Sequence, residues 1–249
     1  MRWLILVLFT TTTCGIFSKP NLYQQGVRSY EQKDYEKAIK YFTSHYQKSP
    51  SGDSTLFFLY NCYLKTGNYP SAIKILEKLA RRKNPHPAIY LNLYQYYRHQ
   101  RLYYKIPEML SRAPKSALQK IDREVPLTRR CIAELLTGIC TAQKIDDPIG
   151  FAIKKGFIKP SADGKLYEND TIKIYQLILY LDSFLPPVKP EKLLHVKNIR
   201  PDSYLYYPYS RLVSFGILEP DAEIDPQAYG TLSFLQRALI NLKNLGYLK

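Results

Sequence analysis

The side chains that most often carry catalytic or metal-binding chemistry are few and scattered along this chain of 249 residues. The four histidines are His45, His86, His99 and His195. None has a second ligand residue three or four positions further on, the spacing that places two metal ligands on one helical face. Asp146 and Asp147 suit a helix start better than a catalytic pair, and the motifs of phosphate loops, dinucleotide sites, zinc proteases and serine hydrolases are absent. We therefore predict a protein that is not an enzyme and uses no metal or other cofactor.

The cysteines do not form a disulfide framework. Cys131 and Cys140 lie nine positions apart on one predicted helix, which is about 13 Å along its axis and too far for a disulfide. Cys62 falls in another predicted helix. We expect these three cysteines to be reduced and buried.

The helices that would have to position any site repeat with a period of 34 residues. Three sets of residues keep this spacing: Ala38, Ala72 and Ile106; Phe42, Leu76 and Leu110; and Tyr35, Tyr69 and Tyr103. A fixed period of this length predicts that each unit is one supersecondary element, which buries its apolar face against its neighbours. Within one unit, Leu56, Leu59 and Tyr63 form a helical stripe, Gly67 ends that helix, and a second stripe begins near Ala72.

This pattern resembles the tetratricopeptide repeat. The resemblance covers three units, at roughly 19–52, 53–86 and 87–120, and the third carries Ile106 and Pro107 where small residues are usual. We therefore expect its second helix to be short or displaced. The predicted fold is all-α, with a three-unit tetratricopeptide α-solenoid over 19–120 followed by a smaller helical domain over 121–249.

The resemblance also implies a binding groove, because tetratricopeptide arrays bind proteins or peptides along the first helices of their units. Carried over by register, the groove residues are Tyr23, Val27, Tyr30, Phe57, Asn61, Leu64, Lys65, Leu91, Gln95 and Arg98. This mixed aromatic and basic lining favours a peptide or helix with apolar anchors and acidic flanks. Packing of some of these aromatic rings between units is the alternative.

The first 18 residues have the composition of an export signal, with Arg2 ahead of a short apolar stretch. Cys14 follows that stretch and resembles the lipidated cysteine of bacterial lipoproteins, so we expect a lipid anchor. Cleavage after Gly15 or Ser18 with secretion, and an uncleaved short anchor, remain open. The expected location is the periplasm or the outer surface of the cell.

Positive charge is concentrated in the repeats. Residues 19–120 contain 18 Lys and Arg against 6 Asp and Glu, while residues 121–249 are nearly balanced, at 17 against 15. For an exported chain, acidic proteins, anionic lipid headgroups and cell-wall polymers are better partners than nucleic acid.

Residues 121–249 contain a weaker internal repeat. Residues 152–158, an Asp-Gly loop and a helix after Thr171 have a counterpart in residues 212–218, an Asp-Pro loop and a helix after Thr231. This arrangement, and the segment Pro126–Arg129, resemble the S-layer homology module, in which a Thr-Arg motif binds anionic wall polysaccharide. Thr128 and Arg129 would then be glycan-binding residues. A plain helical cap on the repeats is the alternative.

Together these features predict a lipid-anchored envelope scaffold that binds a protein partner through its repeat groove. Attachment to cell-wall polysaccharide or peptidoglycan through residues 121–249 is the second hypothesis.

Overall fold

The computed structural model describes residues 21–190, 194, 199–220 and 224–248, and within these ranges the secondary structure is helical apart from two isolated β-bridges. The predicted all-α class is therefore confirmed. The predicted signal segment, Cys14 and His195 lie outside the described residues. In the described part of the chain, none of the helices has the length and apolar character needed to cross a membrane. The chain divides into two compact units, here called the N-terminal block (up to Ile75) and the C-terminal block (from Leu76).

The N-terminal block contains the first helical pair and the beginning of the second. Its helices are α1 (Leu22–Glu31), α2 (Tyr35–Lys48) and α3 (Asp53–Lys65), and α4 (Tyr69–Ala80) crosses the division between the blocks. A capping box starts α1, since the Asn21 side chain accepts from the Gln24 amide at 2.8 Å and the Gln24 side chain accepts from the Asn21 amide.

An aromatic core holds α1, α2 and α3 together. Phe42 is fully buried and stacks on Phe58, with ring centroids 5.0 Å apart. Gly26 lets α1 approach this core, because a Cβ atom there would lie 2.6 Å from the Phe42 ring. Ala38 is also fully buried. Ala38 and Phe42, which keep the 34-residue period, therefore lie in the closely packed core of this block.

The C-terminal block continues the helical pairs and adds the second half of the chain. Its elements after α4 are α5 (Pro87–His99), a 3-10 turn (Tyr103–Lys105), α6 (Ile106–Arg112), α7 (Lys115–Glu124), α8 (Arg129–Cys140), α9 (Pro148–Lys154), α10 (Ile174–Asp182), α11 (Tyr206–Ser214) and α12 (Leu232–Asn244). At seven residues, α6 confirms the prediction of a short second helix in the third repeat. Pro107 has no N–H to donate to the Tyr103 carbonyl, and the residues before α6 form the 3-10 turn.

The starts of α8, α10 and α12 are joined by backbone hydrogen bonds. The Ile172 amide donates to the Leu127 carbonyl at 3.0 Å, and the Gly230 amide donates to the Ile172 carbonyl at 2.8 Å. Thr128 and Thr231 each cap the helix that follows them. Helix α10 begins at Ile174, two residues later than expected from a cap at Thr171, because Thr171 forms an antiparallel bridge with Thr128.

Helices from both sides of residue 120 pack together within the C-terminal block. Helix α12 contacts α6, α7 and α8, and the Asp122 carboxylate on α7 accepts a hydrogen bond from the Ser233 amide in the first turn of α12 at 3.0 Å. An acceptor there satisfies a helix amide that has no partner within the helix. The division into domains at residue 120 stays a prediction.

Candidate binding surfaces

The predicted groove residues of α1 combine packing with partial exposure. Tyr23, Val27 and Tyr30 are all partly exposed. The rings of Tyr23 and Tyr30 contact Phe58, at centroid distances of 6.0 and 5.3 Å. These tyrosines therefore support the core of the N-terminal block and offer only part of their surface to a partner.

On α3 the predicted groove residues are more accessible. Phe57 is 57% exposed, Lys65 is exposed, and Asn61 and Leu64 are partly exposed. Asn61 donates its side-chain N–H to the Phe57 carbonyl at 2.9 Å. This hydrogen bond within α3 already uses the side-chain amide of Asn61. Because α1 and α3 contact each other in the N-terminal block, their groove residues lie on neighbouring helices.

The predicted groove residues of α5 lie in the C-terminal block and differ sharply in exposure. Gln95 is exposed, whereas Leu91 is only 5% exposed and offers little surface. Arg98 is held by an ion pair with Glu134. That these ten residues form a partner-binding groove stays a prediction.

Arg98 forms a bidentate salt bridge with Glu134 of α8. The Arg98 Nε and Nη2 atoms donate to the two Glu134 carboxylate oxygens at 2.6 and 3.0 Å. The Glu134 side chain is 5% exposed and that of Arg98 is 30% exposed. Burial raises the pKa of Glu134 although Arg98 opposes the shift, and the two short hydrogen bonds indicate an ionised pair at neutral pH. The sequence alone gave no signal that residues 36 positions apart would pair.

Thr128 and Arg129, the predicted glycan-binding residues, have structural partners. The Thr128 hydroxyl accepts from the Cys131 amide at 3.3 Å. Arg129 Nη1 donates to the Leu166 carbonyl at 2.7 Å and to Ser161 Oγ at 3.3 Å. Arg129 therefore ties the loop before α10 to the start of α8.

Arg129 also lines a pocket of about 390 Å³. The pocket contains two cationic side chains and one carboxylate among polar and aromatic groups, and its lining residues are Arg129, Ile132, Gly156, Phe157, Ile158, Lys159, Asp170, Thr171, Ile172, Gln176, Tyr180 and Ser183. The buried Tyr180 hydroxyl has no hydrogen-bond partner, and burial raises its pKa. A pocket of this size with a few polar groups suits a small polar ligand or one unit of a polymer.

The thiols and acids do not assemble into a metal site in the part of the chain that is described. Cys62, Cys131 and Cys140 are free; the first two are buried and the third is partly exposed. Burial raises the pKa of the Cys62 thiol to about 11, which disfavours the nucleophilic thiolate at neutral pH. Among the described residues, no three His, Cys, Asp or Glu side chains are placed to share a metal ion.

Comparison with known proteins identifies one part of the chain. Residues 29–95 match the tetratricopeptide repeat family, and they run from the end of α1 into α5. No curated protein matches the chain. The expected repeats are therefore confirmed over 29–95, where the helical pairs and the family match agree. Such repeats are modules that bind protein or peptide partners.

Proposed function

We propose that this protein is a non-catalytic scaffold of the bacterial cell envelope, exported and lipid-anchored, which binds a protein partner through the exposed face of α1 and α3. The observation that carries the proposal is Phe57, a strongly exposed aromatic side chain on α3 within the tetratricopeptide match. Aromatic residues are enriched among the hot spots of protein interfaces.

The charge around this face defines the partner's chemistry. Lys65 is exposed on the same helix as Phe57, and the repeat region carries a threefold excess of basic over acidic residues. Phe57 supplies an apolar contact, and the basic residues favour association with an acidic surface. An acidic protein segment with an apolar anchor fits both features.

Replacing Phe57 by alanine together with Lys65 by glutamate should remove most of the partner binding. Loss of one aromatic hot spot costs about 2 kcal/mol or more, so the affinity should fall at least about 30-fold. Crosslinking and mass spectrometry in the native cell would identify the partner, and titration of the purified pair would give the affinity. The matched control is Tyr69→Ala with Lys40→Glu, since Tyr69 is 55% exposed but lies outside the predicted groove. An unchanged partner list for the Phe57 and Lys65 variant would refute this binding face.

The lipid anchor is proposed at Cys14 from the composition of residues 1–18. Radiolabelled palmitate should enter the wild-type protein and should not enter Cys14→Ser. Cell fractionation then separates the possibilities, because a secreted protein leaves the membrane fraction whether or not Cys14 is present.

Attachment to an anionic cell-wall polymer is the second candidate function, and the pocket beside Arg129 favours it. Lys159 supplies a second cation to this pocket, which favours an anionic sugar because charge-assisted hydrogen bonds are strong. Retention on purified cell wall should be lost in Lys159→Glu and kept in Lys165→Glu, an exposed change that does not line the pocket. Arg129→Ala should also lose retention, but its melting temperature must be compared because Arg129 anchors the neighbouring loop. No retention of the wild type would reject this function.

A further inference from the structure

A second, separate concavity lies in the C-terminal block, where the third repeat departs from the regular pattern. Two pockets of about 220 and 400 Å³ share Ala80, Arg81, Tyr90 and Arg112 in their linings. They therefore form one continuous depression, here called the cationic cleft. Its remaining lining residues are Glu77, Leu93, Tyr97, Tyr104, Lys105, Glu108 and Met109 in the smaller, inner part, and Arg82, Lys83, Pro85 and Pro114 in the larger, outer part.

The inner part of the cationic cleft is aromatic and internally ordered. Tyr97 is buried and donates its hydroxyl to Glu77 at 2.8 Å, and Lys105 pairs with the same carboxylate at 3.0 Å. Burial alone would raise the pKa of Glu77, but these two partners outweigh it and hold the pKa below its usual value. The charges of Glu77 and Lys105 in the inner part are therefore paired, and much of its remaining lining is aromatic or aliphatic.

The outer part of the cleft is strongly basic. Arg81, Arg82, Lys83 and Arg112 line it, and its lining residues include no carboxylate. Arg112 pairs with Glu108 at 2.7 Å, but the two side chains are 60% and 64% exposed, and such surface pairs are weak. An incoming anion can replace that pairing at little cost.

Part of the cleft is lined by the short second helix of the third repeat. The 3-10 turn Tyr103–Lys105 precedes α6, which has only seven residues, and Tyr104 and Met109 from these two elements line the cleft. The residues of α5 that line the cleft are Tyr90, Leu93 and Tyr97. At 3.6 residues per turn they lie roughly 130° around the helix from Leu91, Gln95 and Arg98. The cleft is therefore a different surface from the predicted groove.

We propose that the cationic cleft binds an acidic peptide segment of a partner protein, with one apolar side chain in the inner part and flanking carboxylates on the basic outer part. The inner volume, about 220 Å³, is below the range of whole small-molecule sites and suits a single side chain. A membrane surface fits less well, because the site is concave and none of the strongly exposed large apolar side chains of the described residues lies in its outer part. The basic side chains of the outer part favour a partner segment rich in carboxylates, because opposite charges across an interface attract.

The experiment measures binding of a fluorescein-labelled peptide of alternating aspartate and glutamate with one central phenylalanine, by fluorescence anisotropy on the full chain. We expect Arg81→Glu with Lys83→Glu to weaken binding at least about tenfold, because attraction becomes repulsion. The matched control, Lys37→Glu with Lys40→Glu, makes the same charge change at exposed positions of α2 and should leave the affinity within about twofold. A peptide with serine in place of phenylalanine should bind at least about fivefold more weakly if the inner part accepts the apolar side chain.

Other results would overturn the proposal. Equal weakening by both double variants would mean that net charge alone drives the binding, and indifference to the serine replacement would mean that the inner part is not used. Sedimentation with phosphatidylglycerol vesicles that depends on Arg81 and Lys83, without peptide binding, would assign the surface to a membrane. The Phe57 and Lys65 variant should keep the part of the peptide binding that depends on Arg81 and Lys83, so failure of the cationic cleft is distinguishable from failure of the binding face on α1 and α3.

Discussion

Replacing Arg98 by alanine should lower the free energy of unfolding by about 3–5 kcal/mol, the usual cost of removing one partner from a buried ion pair. The variant would leave the Glu134 carboxylate, 5% exposed, without the two donors that now bind it at 2.6 and 3.0 Å. A loss of this size should lower the melting temperature by roughly 10 °C for a unit of this length. Thermal and urea unfolding would measure it.

The same variant should show a characteristic pH dependence. Burial already places the pKa of Glu134 above its usual value of 4.5, and removing Arg98 takes away the chief group that lowers it. A carboxyl whose pKa is raised in the folded state contributes stability below its unfolded pKa and loses that contribution as the pH rises through the folded pKa. Arg98→Ala should therefore be destabilised more at pH 8 than at pH 5.

Two controls separate the buried pair from ordinary surface charge. Lys120→Ala breaks an exposed pair with Glu124 and should change stability by less than about 1 kcal/mol. Replacing both Arg98 and Glu134 by methionine leaves no unpaired charge, so it should cost much less than Arg98→Ala. If the double variant were as unstable as the single one, lost packing and not the unpaired carboxylate would be the cause.

Gly138→Ala should destabilise the protein by about 3 kcal/mol, although alanine is the better helix former. A Cβ atom at Gly138 would lie 2.8 Å from the carbonyl carbon of Tyr103 and closer still to its oxygen. The obstacle is backbone, so no change of rotamer relieves it, and α8 would have to move away from the 3-10 turn. This cost outweighs the gain of about 1 kcal/mol in helix propensity.

Thermal unfolding of Gly138→Ala beside Gln119→Ala would test this close approach. Gln119 is exposed on α7, so its replacement should change stability by no more than about 0.5 kcal/mol. A stabilised Gly138→Ala protein would mean that α8 does not pack against the 3-10 turn at this distance.

The repeat region was readable from sequence because its packing is local and periodic. Ala38 and Phe42 keep the 34-residue register and are fully buried. Pro107 correctly predicted that α6 would be short. Each of these inferences depends on residues within one or two helical turns, where spacing and backbone chemistry decide the outcome.

Inference from sequence failed where partners come from distant parts of the chain. Thr171 has the chemistry of a helix cap, yet its pairing with Thr128 delays α10 to Ile174. Arg98 occupies a groove register, yet its guanidinium is bound to Glu134. Gly138 gave no local signal, and only the approach of Tyr103 explains it.

The sequence by itself determined the all-α class, the tetratricopeptide repeats and the excess of positive charge in their region, because period, helix patterning and composition do not depend on distant contacts. The tertiary structure alone decided which basic residues are available to a partner. Arg98 is taken into a buried pair, whereas Arg81 and Lys83 line an open cleft. The physical reason is desolvation: a buried charge requires a partner of opposite sign, and only the folded chain determines which charges are buried.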